Sequence, residues 1–390
     1  MGNQVVSSRS FERDLDWAVI GAGPVGCHQT IRLLKSKISD ASRLRIFDPN
    51  PPLRLWKHRT HNCGMTHLRS SSVHHLGFSS SALVRFQKRH FRSRIPWRGK
   101  AQSPQIELFN AHNRHLVSRF GLEETWIPSR VESLVRSHTS YQLETTVGPV
   151  RAKNVILALG PLWKREIPDW LKPVDSLSSH LLDPDFNVDN LEPGQSLAIL
   201  GGGMSSLQSA LSLSRQHQVT VLTRSCIRQS EFDVQPGWMG PVNGNFLKLS
   251  SDAKRTLVNR KKNRGTVSKA VFERFHRALK KGLITCHELN APDCELQQNR
   301  ALLRDEDQTF LVDKIILGTG FKPSLHPLHY QVAQKLGAPL SNCQTPILDK
   351  HLQWLPQLFV AGCHAELQLG PVAGNILGAK LAADRILSKS

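Results

Sequence analysis

The sequence predicts an α/β protein built from two parallel-sheet units, and three observations support this prediction. Two glycine-rich turns, at residues 21–26 and 201–206, each stand between an apolar strand and a helix. Each helix is followed by a second short apolar strand, which gives the β–α–β order typical of parallel sheets. The chain has 390 residues, of which 39% are apolar. This length suits about two domains of roughly 150 residues each.

The first glycine-rich turn lies in WAVIGAGPVGCHQTIRLLKSK, which begins at Trp17 and contains Gly21, Gly23 and Gly26 in the spacing G-x-G-x-x-G. In a nucleotide-binding turn, the first glycine permits the tight turn and the second lets a pyrophosphate approach the backbone. The third lets helix and strand pack closely. The next strand, RLRIFD, ends at Asp48, 22 residues after Gly26, where an acid meets a ribose hydroxyl. We therefore predict a dinucleotide site here.

The second glycine-rich turn lies in QSLAILGGGMSSLQSALSLSRQHQVTVLTRS and carries Gly201 and Gly203, with Ser206 in place of the third glycine. Serine is small enough to allow close packing. The following strand ends at Arg224, and Arg228 comes soon after. Arginine binds a 2′-phosphate that a carboxylate would repel, so this site is predicted to prefer NADPH. The alternative is that Arg224 is a solvated loop cation. Opposite charges at the two strand ends favour FAD at the first site and NADPH at the second.

The chain resembles the flavin-dependent oxidoreductases with two dinucleotide-binding domains, a superfamily of monooxygenases and pyridine nucleotide-disulfide reductases. Besides the two turns, the likeness rests on NVILALGP (154–161), DKIILGTGFKP (313–323) and LFVAGCHAELQLGPVAGNILGAKLAADRIL (358–387). They resemble the strand that leaves the flavin domain, the strand that returns to it, and the terminal flavin-binding strand and helix. The resemblance implies an α/β fold of two Rossmann-like domains. The NADPH domain (163–317) is inserted into an FAD domain formed by 12–162 and 318–390.

The returning and terminal segments supply the remaining cofactor contacts that the resemblance implies. Gly320 lies in the returning segment, and Gly362 ends the strand LFVAG. Gly370 and Pro371 open a stretch with apolar residues at helical spacing, so we predict that a helix begins there. Its N-terminus would face the pyrimidine side of a reduced flavin. The alternative is a terminal helix that only docks on the core.

Two departures narrow the resemblance to one branch. The chain has no C-x-x-C pair, and Cys363 follows Gly362 where disulfide reductases usually have aspartate, so dithiol chemistry is disfavoured. The fingerprint of Baeyer–Villiger monooxygenases is also not found. The chain therefore looks most similar to the N-hydroxylating flavin monooxygenases. This branch implies that NADPH reduces FAD and that a peroxyflavin then oxygenates a small amine-like nucleophile.

A Pro-, Ser- and His-rich stretch after Asp48 is predicted to hold substrate. In resembling enzymes this loop lies along the flavin, which places five side chains around the ring: Trp56, Met65, His67, Leu68 and Arg69. His67 would tune a proton at the reacting oxygen, or is structural, and Arg69 or a nearby histidine would contact an anionic or carbonyl group of the substrate. A zinc site at His58, His61 and Cys63 is disfavoured because zinc ligands usually come as two separated pairs.

The second unit carries a long excursion at residues 230–282. Its first part is rich in Gly and Pro and contains Trp238 and Phe246, so we predict a loop able to cover a pocket. Its second part, from Thr266, is predicted to be a helix with three apolar side chains facing inward: Val271, Phe272 and Phe275.

The formal net charge of +20, from 51 basic and 31 acidic residues, allows a second class of function. Residues 85–100 and 254–264 are basic clusters, and the first interleaves its cations with aromatic residues, as single-stranded nucleic-acid sites do. A flavoenzyme acting on tRNA or other RNA is therefore an alternative. The spacing of Phe86 and Phe91 instead suits the inner face of a helix, with a solvated basic face outside. A third possibility is a non-catalytic, redox-sensing dinucleotide-binding scaffold.

The apolar runs, the N-terminus and the cysteines indicate where the protein is located and what it binds. No apolar run approaches the roughly 18 residues of a membrane span, and the N-terminus has no secretory apolar region. The seven scattered cysteines are typical of reduced cytosolic thiols. We therefore expect a cytoplasmic protein with a small-molecule substrate and no metal. The sequence does not determine the oligomeric state.

Overall fold

A computed structural model describes residues 14–91, 97–99, 102–160, 164–239, 244–322 and 324–389 of the chain. The first part contains β1 (Asp14–Ile20), α1 (Pro24–Lys35), β2 (Leu44–Asp48), α2 (Arg54–Asn62), α3 (Ala82–His90), β3 (Trp97–Arg98), β4 (Ser103–Pro104), α4 (Ile106–Arg119), α5 (Leu122–Thr125), β5 (Trp126–Pro128), β6 (Val131–Arg136), β7 (Tyr141–Thr145) and β8 (Val150–Leu157).

The middle part contains β9 (Ser178–His180), β10 (Ser196–Leu200), α6 (Met204–Leu213), β11 (Gln218–Thr223), β12 (Arg228–Gln229), α7 (Gly244–Leu247), α8 (Ser251–Lys261), β13 (Thr266–Val267), α9 (Lys269–Lys280), β14 (Ile284–Glu288), β15 (Asp293–Gln297), β16 (Arg300–Asp305), β17 (Gln308–Val312) and β18 (Lys314–Leu317). The last part contains α10 (Pro327–Leu336), β19 (Gln353–Leu355), β20 (Leu358–Val360), α11 (Glu366–Leu369) and α12 (Ile376–Leu387).

The first sheet has the strand order β19-β20-β8-β1-β2-β5, and the β6–β7 hairpin joins it through β7. Its central strands β20, β8, β1, β2 and β5 run parallel, so their carboxyl ends meet at one edge. The second half of β1, from Trp17 to Ile20, is an apolar run of the kind found in parallel sheets that are covered on both faces. From Trp17 to Ile20 every residue of β1 is buried.

The second sheet has the order β14-β11-β10-β18-β9, and all of its pairs are parallel. Its strands lie between Ser178 and Leu317, whereas the strands of the first sheet come from before and after that range. The predicted α/β class with two parallel-sheet units is therefore confirmed, and one unit interrupts the other. The predicted boundary at 162 lies outside the described residues, and the boundary at 317 coincides with the end of β18.

The excursion contains more helix than the sequence predicted. Its first part is not only a loop, because α8 (Ser251–Lys261) lies within it and the Ser250 side chain caps that helix by accepting from Ala253 N. Phe246 is buried and packs edge-on against Trp238 at a ring separation of 5.4 Å. The second part begins with β13, and the predicted helix is α9. Val271 and Phe275 of α9 are buried, as predicted.

The expected helix start at Gly370 and Pro371 is wrong. Residues Gly370–Val372 form a single 3₁₀ turn, and α12 begins at Ile376. The side chain of Asn375 caps α12 by accepting from the backbone N of Gly378 at 3.0 Å. The apolar spacing from Val372 onward matched a helix because Val372 is buried in the preceding turn. Asn is a strong N-cap residue and was the missed signal.

Candidate functional site

The first glycine-rich turn has the geometry that its sequence predicts. Gly21 has a φ of +109°, and its backbone N donates to the carbonyl of Phe47 at 2.9 Å. A Cβ added at Gly26 would lie 1.8 Å from the Gly21 oxygen, so only glycine allows α1 to sit this close. A Cβ added at Gly23, which precedes α1, would meet no atom within 4 Å. The start of α1 is therefore open to a ligand at the position expected for a pyrophosphate.

Asp48 stands beside this turn at the end of β2. Its carboxylate accepts from the backbone N of Ala22 and from that of Asn50, both at 2.8 Å. These hydrogen bonds hold the carboxylate next to the glycine-rich turn and leave lone pairs on both oxygens. A contact of Asp48 with a ribose hydroxyl remains a prediction.

The terminal segment returns to the same edge of the first sheet. Because β20 pairs with β8 and β8 pairs with β1, Gly362 emerges beside the first turn. Its φ is +88°, and a Cβ added there would lie 3.7 Å from a methyl group of Val25 in α1. Gly370 has a φ of +70°, and both Gly370 and Pro371 are buried in the 3₁₀ turn that follows α11. The structure thus places Gly362 beside the start of α1.

The second glycine-rich turn repeats the geometry of the first turn, except that Ser206 replaces the third glycine and Gly318 makes room for it. Gly201 has a φ of +121°, and Gly203 precedes α6. Ser206 is fully buried, and its hydroxyl donates to the carbonyl of Gly318 at 3.2 Å. A Cβ added at Gly318 would lie 2.0 Å from that hydroxyl oxygen. The serine therefore fits on the helix because the neighbouring strand end has glycine, whereas the first unit pairs Gly26 with Ala158.

The cations predicted at the second site are exposed. Arg224 follows β11, its side chain is 84% exposed, and its nearest acidic partner is Glu166 at 3.9 Å. Arg228 is exposed and donates to the carbonyl of Arg264 at 3.5 Å. Gly320 has a φ of +87°, and its carbonyl faces Nε2 of His180 at 2.9 Å. Arg224 is thus free to meet a phosphate, but a binding role remains a prediction.

The side chain of Arg69 donates hydrogen bonds to residues of the excursion. Its Nη2 donates to the carbonyls of Ser230 at 2.5 Å and Phe232 at 3.0 Å, and to the Thr266 hydroxyl at 2.8 Å. Its Nε donates to the Glu231 carbonyl, and its Nη1 to the Thr266 carbonyl. The guanidinium group is thus committed to protein acceptors, which departs from the expected contact with substrate. Arg69 instead ties its loop to the inserted unit.

Met65 and His67 precede Arg69 on this loop. Met65 packs against the core of the first unit, and His67 pairs with Gln105 in an isolated β-bridge. Trp56 is half-buried and donates from Nε1 to Asn110 at 3.2 Å, while Leu68 is buried. The structure therefore orders the loop, and the grouping of these side chains around a flavin remains a prediction.

The histidines considered for zinc have other partners. His61 lies 2.9 Å from Asp189, and Asn62 rather than a cysteine lies against His58. Burial raises the pKa of the Cys63 thiol to about 11. Within the described ranges, no group of three or more His, Cys, Asp or Glu side chains is arranged to hold a metal ion.

A cavity of about 620 Å³ lies at the opposite end of α6 from Gly203, between the two units. Met65 contributes to its wall, together with polar residues such as Lys57, Glu107 and Arg215. The other predicted site residues do not line it. This cavity is therefore separate from the glycine-rich turns.

Sequence reasoning missed a buried acidic residue in the terminal segment. Glu366 is buried and pairs with Arg255 and Lys262 of the excursion. A single acid within the apolar run after Gly362 was the available signal, because a carboxylate is almost never fully buried unless it is paired. The basic cluster 254–264 thus partly faces inward. In the cluster 85–100, the cations Arg85, Lys88 and Arg89 of α3 are exposed, and 92–96 and 100 lie outside the described residues.

No helix in the described part of the chain combines the length and the apolar character that crossing a membrane requires.

No curated protein matches the chain by sequence. A family model for pyridine nucleotide-disulphide oxidoreductases matches residues 18–263.

Solved structures resemble the chain at low sequence identity. The FAD-bound cadaverine monooxygenase DfoA of Erwinia amylovora has a TM-score of 0.71 at 16% identity, covering 96% of this chain and 94% of that one. The ornithine hydroxylase PvdA of Pseudomonas aeruginosa has a TM-score of 0.74 at 16% identity, with 96% and 98% covered. A steroid monooxygenase bound to NADP has a TM-score of 0.64 at 16% identity, with 95% and 84% covered.

These similarities confirm the expected fold of two dinucleotide-binding domains, because they extend over nearly the whole chain. The family model covers more than half of the chain, including both glycine-rich turns. The chain therefore belongs to the pyridine nucleotide-disulphide oxidoreductase family.

Proposed function

We propose that the protein is an FAD-dependent NADPH oxidoreductase, and that it is a monooxygenase acting on a small, amine-like nucleophile. The observation that carries the proposal is the pair of glycine-rich turns, each at the carboxyl edge of its own parallel sheet and each with a positive φ at its first glycine. A ligand binds at such an edge in doubly wound folds. The family membership and the FAD-bound and NADP-bound neighbours support this choice of cofactors.

The residues of the first unit fit a flavin dinucleotide. The space next to Gly23, the N-cap of α1, is open, and Asp48 is held beside the turn. The first amides of a helix have no partner within the helix and are available to a ligand at such a start. We assign the pyrophosphate to Gly21, Gly23 and Gly26, and the adenosine ribose to Asp48. A Cβ added at Gly362 would lie 3.7 Å from a methyl group of Val25 in α1, so Gly362 would border the same ligand.

The residues of the second unit fit a nicotinamide dinucleotide. We propose that residues 163–317 bind NADPH, with Gly201, Gly203 and Ser206 at the pyrophosphate and Arg224 at the 2′-phosphate. A Cβ added at Gly203 would lie 3.7 Å from Cα of Gly265, so the excursion borders this turn. Gly320, at the crossover back to the first unit, lies near both sites in this proposal.

In the proposed reaction, residues of the chain have three tasks. When bound, FAD would supply the two-electron chemistry between the nicotinamide and dioxygen. Arg69 keeps the loop 65–69 fixed against the excursion, so the two cofactor sites hold one relative geometry. The excursion covers the terminal segment through Glu366 and limits access of water. His67, on the ordered loop, is our proposed group for holding a proton near the reacting atoms.

The proposed substrate class rests on two similarities. The neighbours DfoA and PvdA carry the names cadaverine monooxygenase and ornithine hydroxylase, and each covers nearly the whole chain. Both names describe oxidation of a compound that bears a primary amine. A small amine is accordingly the first substrate class to test.

The test is spectral and kinetic. The purified protein should show flavin absorbance, or acquire it with FAD, and should oxidise NADPH faster than NADH while peroxide release is recorded. Small diamines and basic amino acids should lower peroxide release per NADPH. A colourless protein that cannot be reconstituted with FAD would refute the proposal. Oxidation of NADPH no faster than by free flavin would instead favour a non-catalytic scaffold. Tight, salt-sensitive binding of tRNA would favour the RNA alternative.

A further inference from the structure

A buried charge cluster joins the excursion to the terminal segment. Nη1 of Arg255 and Nζ of Lys262 each contact one carboxylate oxygen of Glu366, and Nη2 of Arg255 also donates to the hydroxyl of Thr345. The side chain of Glu366 is 5% exposed, and those of Arg255 and Lys262 are 21% and 18% exposed. Water therefore screens these charges poorly.

The positive charges of this cluster outnumber the negative ones. Glu366 supplies one negative charge against the two cations that contact it, and Arg264 adds a further positive charge near Lys262. The neighbouring thiol of Cys363 does not compensate, because burial raises its pKa to about 11 and keeps it neutral. Burial also lowers the pKa of His364 to about 4, so this ring is neutral as well.

An uncompensated buried cation is costly and shifts toward its neutral form. Lys262 shows this effect. Burial, followed by the guanidinium groups of Arg264 and Arg255, lowers the pKa of Lys262 to about 8. A negative charge placed beside Lys262 would relieve the imbalance, so the cluster is built to receive an anion.

The order of strands indicates which part of a bound flavin dinucleotide would lie there. Asp48 ends β2, the glycine-rich turn follows β1, and the cluster follows β20 on the far side of β8. If the adenosine lies over β2 and the pyrophosphate at β1, the ring end extends over β8 and β20. The distance from β2 to β20 is three strand spacings, about 14 Å, which suits an extended dinucleotide.

We propose that Lys262 and Arg255, oriented by Glu366, stabilise the negative charge that the flavin ring acquires on reduction. Hydride transfer from NADPH adds two electrons and one proton to the ring, which therefore gains one negative charge while the nicotinamide becomes a cation. The excess positive charge of the cluster favours that reduced ring over the neutral oxidised one. The excursion of the inserted unit thus sets the redox balance of the flavin in the first unit. This inference rests on the proposed function.

The test compares the ratio of reduced to oxidised flavin in the FAD-loaded full chain, equilibrated with redox dyes at pH 7. Lys262→Met removes the charge and keeps the length of the side chain. We expect it to lower the ratio at least tenfold, which equals about 30 mV for a two-electron couple. Lys261→Met is the matched control, because Lys261 pairs with Gln235 and not with Glu366. The dissociation constant of oxidised FAD should stay near that of the wild type in both variants.

A second variant separates the effect of charge from damage to the fold that Lys262→Met alone could cause. Glu366→Gln removes the compensating negative charge, so the ratio should rise, in the direction opposite to that of Lys262→Met. Simple damage to the site would not produce shifts of opposite sign. Equal ratios in Lys262→Met and Lys261→Met, with FAD bound in both, would overturn the assignment while leaving the proposed function intact. A wild type that binds no FAD would overturn both.

Discussion

The pairing of Ser206 with Gly318 leads to a double-mutant prediction. An alanine at position 318 would place its Cβ 2.0 Å from the hydroxyl oxygen of Ser206, 3.0 Å from its Cβ and 3.3 Å from the Leu200 carbonyl oxygen. Ser206 is fully buried on α6 and its hydroxyl is bonded, so it has little room to move. Overpacking of this kind costs about 1–3 kcal/mol. We expect Gly318→Ala to lose about 3 kcal/mol of local stability, at the upper end of that range.

The double variant should recover most of that loss. Ser206→Gly alone removes a hydrogen bond, worth about 1 kcal/mol, and adds a helical glycine, at a further cost of about 1 kcal/mol. Two independent effects would therefore sum to about 5 kcal/mol. Together, however, Ser206→Gly and Gly318→Ala reproduce the pair Gly26 and Ala158 of the first unit, where an added Cβ at Gly26 would lie 3.4 Å from the Ala158 Cβ. We expect the double variant to lose only about 2–3 kcal/mol, a coupling of about 2–3 kcal/mol.

Amide hydrogen exchange of β10 and β18 is the suitable assay, because a chain with two units need not unfold in two states. Gly160→Ala is the control, since a Cβ there would meet no atom within 4 Å, and it should change stability by less than about 0.5 kcal/mol. If the double variant loses the full sum of the two single variants, the reasoning from compensated packing is wrong.

Three further predictions concern cations and histidines. Arg69→Lys should speed amide exchange in residues 230–232 and 266, because a point charge cannot replace the guanidinium fork. The expected loss of local stability is about 2–3 kcal/mol. Unchanged exchange would contradict the role of Arg69 in holding its loop against the excursion. Arg224→Ala should reduce the ratio of kcat/KM for NADPH to kcat/KM for NADH about tenfold, which corresponds to about 1.4 kcal/mol of discrimination. A wild-type protein that prefers NADH would contradict the contact between Arg224 and the 2′-phosphate. Burial lowers the pKa of His28 and of His75 to about 3 and that of His112 to about 4. The unfolded chain therefore binds more protons below pH 6.5, so the urea midpoint should fall as the pH drops from 6.5 toward 4. An equal or higher midpoint at pH 5 than at pH 7 would contradict this.

Local sequence predicted the parts of the site whose geometry is local. The turn at Gly21, Gly23 and Gly26 is fixed within six residues, because the positive φ and the close helix approach each require glycine at one position. The helix α9 was likewise predicted from spacing alone. The start of α12 was predicted five residues too early, since Val372 continues the apolar spacing while belonging to a separate turn.

Partners that are distant in sequence could not be predicted in this way. Arg69 contacts acceptors 161–197 residues away, and the contacts of Glu366 are 104 and 111 residues away. Arginine donates equally well to a substrate carboxylate or to a backbone carbonyl, so residue type alone does not decide between them. Only the folded chain shows that the excursion supplies the acceptors of Arg69.

The net charge of +20 therefore has more than one physical origin, and its parts predict different behaviour. Arg255 and Lys262 belong to a basic cluster in sequence, yet the fold turns them inward onto Glu366, where salt screens weakly. Arg85, Lys88 and Arg89 on α3 remain exposed. An effect of ionic strength on flavin reduction should then be small, whereas binding of any polyanion to α3 should weaken steeply with salt. Total charge alone cannot separate these two effects, but their salt dependence can.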